Sequence, residues 1–146
     1  MMTRRAHISL RAICGSALVA CTTLAACAMS TEPDVEAGPV SAPKSARFTV
    51  VEVLPFDDEL VNIFLEGRGF LRKEHMDAFS ECAAAGYAQS QGLGFARHLR
   101  TNLSNEGGIW RADAVYTISP ALPVGQHVID AETMVESCAD RRIPTV

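Results

Sequence analysis

The sequence predicts an α+β domain with the element order β-β-α-β-β-α, a four-stranded antiparallel sheet carrying two helices on one face. Three observations lead there. In IWRADAVYTIS, residues Trp110, Ala112, Ala114, Tyr116 and Ile118 share one face of a strand while Arg111, Asp113 and Thr117 share the other. In LRKEHMDAFSECAAAGYAQ, Met76, Phe79, Cys82, Ala83 and Gly86 recur at steps of three and four, the period of a helix lying on a core. A chain of 146 residues has room for one ordinary domain and not for two well-buried ones.

The elements follow in order. RFTVVEVL, from Arg47, is rich in β-branched residues and reads as a strand. Pro55 with Asp57, Asp58 and Glu59 makes a turn, and LVNIFLE pairs back as the second strand of a hairpin. Gly67-Arg68-Gly69 breaks that pairing and leads into the helix from about Leu71, for which Gly86 or Gly92 supplies an end. GFARHLRT is the third strand despite untidy alternation, NLSNEGG is a turn, and IWRADAVYTIS is the fourth strand. After the loop PALPVGQHVI, Asp130 caps a final helix whose stripe is Ala131, Met134, Val135 and Cys138, with Pro144 beyond its end.

Ahead of this body the chain changes character. MMTRRAHISLR holds Arg4, Arg5 and Arg11 and no acid, and no charge occurs from Ala12 to Met29. A basic start, a short apolar run and then small residues form the pattern of a secretory signal peptide. An uncleaved membrane anchor is the alternative, since the run approaches the minimum spanning length of roughly 17 residues, but Gly15, Ser16, Thr22 and Thr23 dilute it. The run ends in Leu24-Ala25-Ala26-Cys27, which resembles the lipobox of bacterial lipoprotein precursors. That resemblance implies a signal peptide over 1–26, with Cys27 as the lipid-bearing first residue of the mature chain. Leu18-Val19-Ala20-Cys21 is a second box, and Cys27 is preferred because polar sequence follows it at once. Two or more acyl chains make a durable anchor where one does not, at about 0.8 kcal/mol per buried methylene. By the same resemblance, the absence of an acid at Ala28 implies the outer membrane, facing the periplasm. Residues 27–46, with Pro33, Pro39 and Pro43 and no aromatic residue, read as a flexible tether to a domain spanning 47–146. The strand, Gly-x-Gly turn and Ala-rich helix resemble those of uncharacterised small proteobacterial lipoproteins, a likeness that brings no activity with it.

Charge excludes some partners. The chain carries 13 basic and 17 acidic residues, and removal of 1–26 leaves ten basic side chains against 17 acidic, a balance of −7. Such a body does not bind nucleic acid through counterion release. Nor is it drawn electrostatically to an anionic bilayer, so membrane contact rests on the lipid. Outside the signal region two thiols remain, Cys82 and Cys138, on the inward stripes of the two predicted helices. In an oxidising compartment they form a disulfide, or else they are buried thiols too far apart to bridge. No Cys-x-x-Cys pair supports a redox enzyme. Gly67-Arg68-Gly69 starts like a dinucleotide fingerprint, but Arg72 holds the third glycine position and no second βαβ unit exists, so a tight turn is the reading. His75, His98 and His127 match no metal spacing, and Asp57-Asp58-Glu59 lacks the alternation of a calcium loop. Arg97, His98 and Arg100 are weighed as an anion patch and read as a solvated strand face. No catalytic, cofactor or metal residue is assigned. The function expected is a lipid-anchored binding or structural module that contacts another envelope component through its exposed sheet face. The alternative is a small periplasmic enzyme or redox protein with a site assembled from dispersed residues.

Overall fold

Alternating strands and one long helix sort the chain into a sheet with a single helical side. The computed structural model describes residues 39–70 and 72–146. Its elements are β1 (Arg47–Pro55), β2 (Leu60–Arg68), α1 (Glu74–Ser90), β3 (Phe95–Glu106), β4 (Ile109–Ser119), β5 (Val128–Asp130) and α2 (Ala131–Arg141). The sheet is antiparallel with order β1-β2-β4-β3-β5. It has five strands where four are expected. The additional β5 pairs Phe95 with Asp130 and Arg97 with Val128 inside the segment read as a loop. Three residues are too short for alternation to announce a strand.

Two bulges explain the imperfect strand patterns. The register shifts between Val50 and Glu52 in β1 and between His98 and Arg100 in β3, so Val51 and Leu99 are extra residues that reverse the phase beyond them. Phe48, Val50 and Val53 therefore share the inner face, as do Ala96, His98, Thr101 and Leu103. β3 also runs on to Glu106, and the turn is only Gly107-Gly108, both at positive φ as a two-residue hairpin requires. The inner face of β2 and β4 supplies Val61, Ile63, Leu65, Ala112, Ala114 and Tyr116 to the core, against Met76 and Phe79 of α1. Each large apolar side chain sealed there contributes about 1.5–3 kcal/mol.

Helix α1 starts at Glu74 rather than Leu71 and has no side-chain cap. It ends in a Schellman arrangement: Gly92 N–H donates to Gln89 O (2.9 Å) and Leu93 N–H to Ala88 O (2.9 Å), with Gly92 left-handed at φ 73°. Gly86 is not the helix end. A Cβ there would lie 2.7 Å from Thr145 Cβ and 2.9 Å from Val146 N, so this glycine lets the C-terminal tail lie against α1. Helix α2 begins as expected, Asp130 Oδ1 accepting from Thr133 N–H at 2.9 Å. It packs on α1 and β5 rather than along the sheet. Ordered packing starts before Arg47: Ala42 is buried, its N–H donates to Arg141 O (2.9 Å), and Ser45 Oγ donates to Gly69 O (2.8 Å).

Cys82 of α1 and Cys138 of α2 are joined by a disulfide with α-carbons 5.9 Å apart. A cross-link across 56 residues stabilises by up to about 4 kcal/mol in the chain-entropy model. Replacing both cysteines with serine should lower the unfolding free energy toward that extent, measured by urea melts. Alkylation and mass spectrometry of the unreduced mature protein should find neither Cys82 nor Cys138 modified; labelling of both would rule the bridge out. Gly86→Leu should cost about 1–3 kcal/mol through overpacking against the tail.

Candidate functional site

Polar side chains gather in two places, one between α1 and the sheet and one on the opposite, uncovered face. In the first, Ser80 sits on the apolar stripe of α1 and donates its hydroxyl to Asp77 O (2.8 Å). This leaves its lone pairs for Tyr116 of β4, whose hydroxyl lies 2.9 Å away. Ser80 is 1 % exposed and Tyr116 fully buried. Burial pushes the Tyr116 phenol well above its ordinary pKa, so it stays a neutral donor. The His98 ring lies 5.1 Å from that of Tyr116, but its Nε2 contacts Thr101 Oγ1 at 2.7 Å rather than Ser80. His98 N–H donates to the carbonyl of His127, a residue in the left-handed region at φ 56°, and the two rings stand 6.4 Å apart. Burial first, and the charge of His127 second, lower the His98 pKa.

Beside this cluster lies Arg141, 8 % exposed. Its Nε donates to Ser137 O (3.2 Å), and its Nη2 lies 3.3 Å from Met134 Sδ, 3.4 Å from Cys138 Sγ and 3.6 Å from Cys82 Sγ. Half-buried Glu81 is raised in pKa by desolvation, with the charge of Arg141 opposing. Within these contacts Ser80, Tyr116 and both cysteines have no surface to offer a substrate. Ser80, Glu81 and Arg141 were not singled out from sequence. A serine on the Met76–Phe79–Ala83 stripe, and an arginine three residues beyond Cys138, were the available signals.

Among the described residues the outer face of the sheet has no helix on it, since α1 meets β2, β3 and β4 from the inner side. By register it carries Glu52, Asn62, Phe64, Glu66, Arg68, Arg100, Asn102, Arg111, Asp113 and Val115. Several of its charges pair among themselves, though Glu52 does not among the described residues. Glu66 accepts from Arg68 (2.8 Å) and faces Arg111 (3.5 Å), Arg111 reaches Glu106 (3.4 Å), and Arg100 stands 3.8 Å from Asp113. Phe64 lies between two shallow hollows. One of about 290 Å³ is shared with Val51, Glu52, Glu66 and Arg111, and one of about 220 Å³ with Asn102, Ser104, Arg111 and Asp113. Asn62 is only 5 % exposed, and among the described residues Asn62 Oδ1 and Asp113 Oδ1 are buried acceptors with no hydrogen-bond partner.

The residues weighed from sequence scatter accordingly. Arg97 and Arg100 face outward while His98 faces the helix, so they make no common patch. His75, in the first turn of α1, is buried and stacked on Phe70 (5.2 Å) beside a hollow of about 630 Å³ lined by Pro43, Ser45, Gly69, Phe70 and Arg72. Asp57 Oδ1 closes its turn by accepting from Glu59 and Leu60 N–H. Among the described residues no three His, Cys, Asp or Glu side chains come together as metal ligands, and no helix is long and apolar enough to cross a membrane. Cys21 and Cys27 lie outside the described residues.

The family model of the YNQ4 C-terminal domain matches residues 48–142, which hold both faces of the sheet and both bridged cysteines. The chain belongs to this family. A relative is the "Uncharacterized 26.9 kDa protein in nqo8 5'region" of Paracoccus denitrificans, 31% identical over 87 residues, or 60% of this chain and 34% of that protein. The match thus spans about a third of that relative's length. No solved structure matches.

The inner cluster predicts a pH effect with a definite sign. Because the folded His98 pKa is lowered, its neutral form stabilises the fold fully above the ordinary histidine value of about 6.5, and this is lost as pH falls through the folded pKa. By NMR, the His98 imidazole should titrate below its ordinary range, and His127→Gln should move it upward; an unmoved His98 in that variant would remove the coupling.

Proposed function

We propose that the chain is a non-catalytic binding module of the cell envelope, lipid-anchored at Cys27 and docking another envelope component on the outer face of its sheet. The observation that carries this reading is the contrast between the two polar regions. The hydroxyls of Ser80 and Tyr116 and both cysteine sulfurs are sealed, while the accessible polar surface is a shallow sheet face of mixed charge. Catalysis needs a group within hydrogen-bond reach of substrate, and Ser80 and Tyr116 have no such access. Binding needs only an exposed, structured surface, and the backbone of β2, β4 and β3 fixes this one in register.

The anchoring half of the proposal rests on Leu24-Ala25-Ala26-Cys27 behind Arg4, Arg5 and Arg11, with Cys21 as the competing acceptor. Residues upstream of the body serve as the tether, and Ala28 after Cys27 favours the outer membrane. Labelling of cells with palmitate should be lost in Cys27→Ser and kept in Cys21→Ser; the reverse result moves the anchor to Cys21. For the docking surface, photo-crosslinking residues placed at Thr49 and Asn102 on the outer face should give adducts in intact cells, whereas Glu136 on exposed α2 should not. Adducts from Glu136 alone would place the contact on the helical side instead.

A further inference from the structure

We propose that the Cys82–Cys138 bridge is a redox-responsive latch: Arg141 stabilises the thiolate formed when a dithiol reduces the bridge, and reduction frees α2 from α1. This goes beyond the docking surface and stands independently of it.

Arg141 has a buried charge and no ionic partner. Its guanidinium makes no ion pair among the described residues. Nη2 lies instead 3.4 Å from Cys138 Sγ and 3.6 Å from Cys82 Sγ, with Met134 Sδ at 3.3 Å. Neutral sulfur is a weak acceptor, so this cation is poorly compensated while the bridge is intact. A thiolate at either cysteine supplies the missing negative charge within contact distance. Glu81 of α1 also feels Arg141, but burial raises its pKa, and the other charges acting on it are those of Asp77 and His127.

Helix α2 is lightly held apart from the bridge. Only Ala131, Cys138 and Arg141 of its 11 residues are buried, against 11 of 17 in α1. An element that buries so little opens locally at low cost, and that opening admits a reductant to sulfurs that are otherwise inaccessible. The thiolate of an external dithiol attacks one sulfur, the S–S bond breaks, and the other sulfur leaves with the electron pair as a thiolate beside Arg141. The second thiol of the dithiol then closes its own ring onto the mixed disulfide, and the released cysteine takes up a proton. The bridge gains two electrons and one proton. The dithiol loses two electrons and two protons, so one proton passes to solvent.

The test equilibrates the full chain, purified in detergent, with reduced and oxidised dithiothreitol. Alkylation and peptide mass spectrometry then read the fraction of Cys82 and Cys138 in the thiol form. Because a proton is released, the equilibrium should move toward reduced protein by about fivefold or more from pH 7 to pH 8. Two thiols of ordinary pKa, about 8.5, would move it by less than about twofold. Arg141→Met keeps the length of the side chain and removes its charge. Its equilibrium at pH 8 should favour the bridge about tenfold more, or about 30 mV for two electrons, and lose the pH step, while Arg141→Lys retains the step. On reduction of the wild type, amide hydrogen exchange should speed up in α2 and stay slow in β2 and β4. A wild-type equilibrium that does not move with pH would overturn the thiolate stabilisation. So would an Arg141→Met equilibrium equal to wild type with native circular dichroism, or loss of the pH step in Arg141→Lys. Unchanged exchange in α2 after reduction, or exchange rising equally across the sheet, would overturn the latch.

Discussion

Helix α1 is buried around nearly its whole girth, and the rest of the fold follows from the need to cover it. Cys82, Ala83, Ala84, Ala85 and Gly86 are consecutive buried residues, a run that no single packing partner satisfies. The sheet takes one side through β2, β4 and β3. The other side is closed by α2, by the C-terminal tail crossing at Gly86, and by the bridge from Cys82 to Cys138. Small side chains make this possible, because alanine and glycine let neighbouring backbone approach closely. They also mean that α1 brings few large apolar groups of its own, so Phe79 and Met76 must do much of the filling.

This central position accounts for what the sequence revealed and what it hid. Alternation in β4 was readable because that strand lies in the middle of the sheet, with one face on the core and one open. In β1 and β3, single extra residues at Val51 and Leu99 moved the phase, so the pattern blurred while the strands remained. β5 was invisible because its three residues pair through backbone, not through side-chain period. The cysteine pair was legible as a pair from their places on two stripes, yet only the packing of α2 against α1 brings their α-carbons within bridging distance. For the outer face, side-chain identities were legible but their mutual pairing was not: Glu66 and Arg111 are far apart in sequence and adjacent only through register.

The two polar regions also differ in how their hydrogen bonds are completed. Inside, Ser80, Tyr116, His98 and Thr101 satisfy one another, which makes the layer between helix and sheet specific without making it reactive. Arg141 is the exception, a buried guanidinium whose nearest acceptors are three sulfurs and a carbonyl. Sulfur is a weak acceptor. Its charge is felt instead by Glu81, whose carboxylate is otherwise disfavoured by burial. Outside, Glu66 joins Arg68 to Arg111 and Asp113 faces Arg100, while Glu52 makes no ion pair among the described residues.

The hydrogen bonds at Ala42 have a mechanical meaning. The chain enters the body beside the last turn of α2, where Ala42 N–H reaches Arg141 O and its carbonyl accepts from Arg142. Strand β1, which follows, is a sheet edge whose bonds to β2 would open one after another if tension came directly along it. Tension arriving from upstream meets the grip on Ala42 first. Helix α2, which holds that grip, is itself tied covalently to the most deeply buried helix by the bridge. The edge strand is thereby sheltered from peeling, and strain is carried into the core instead.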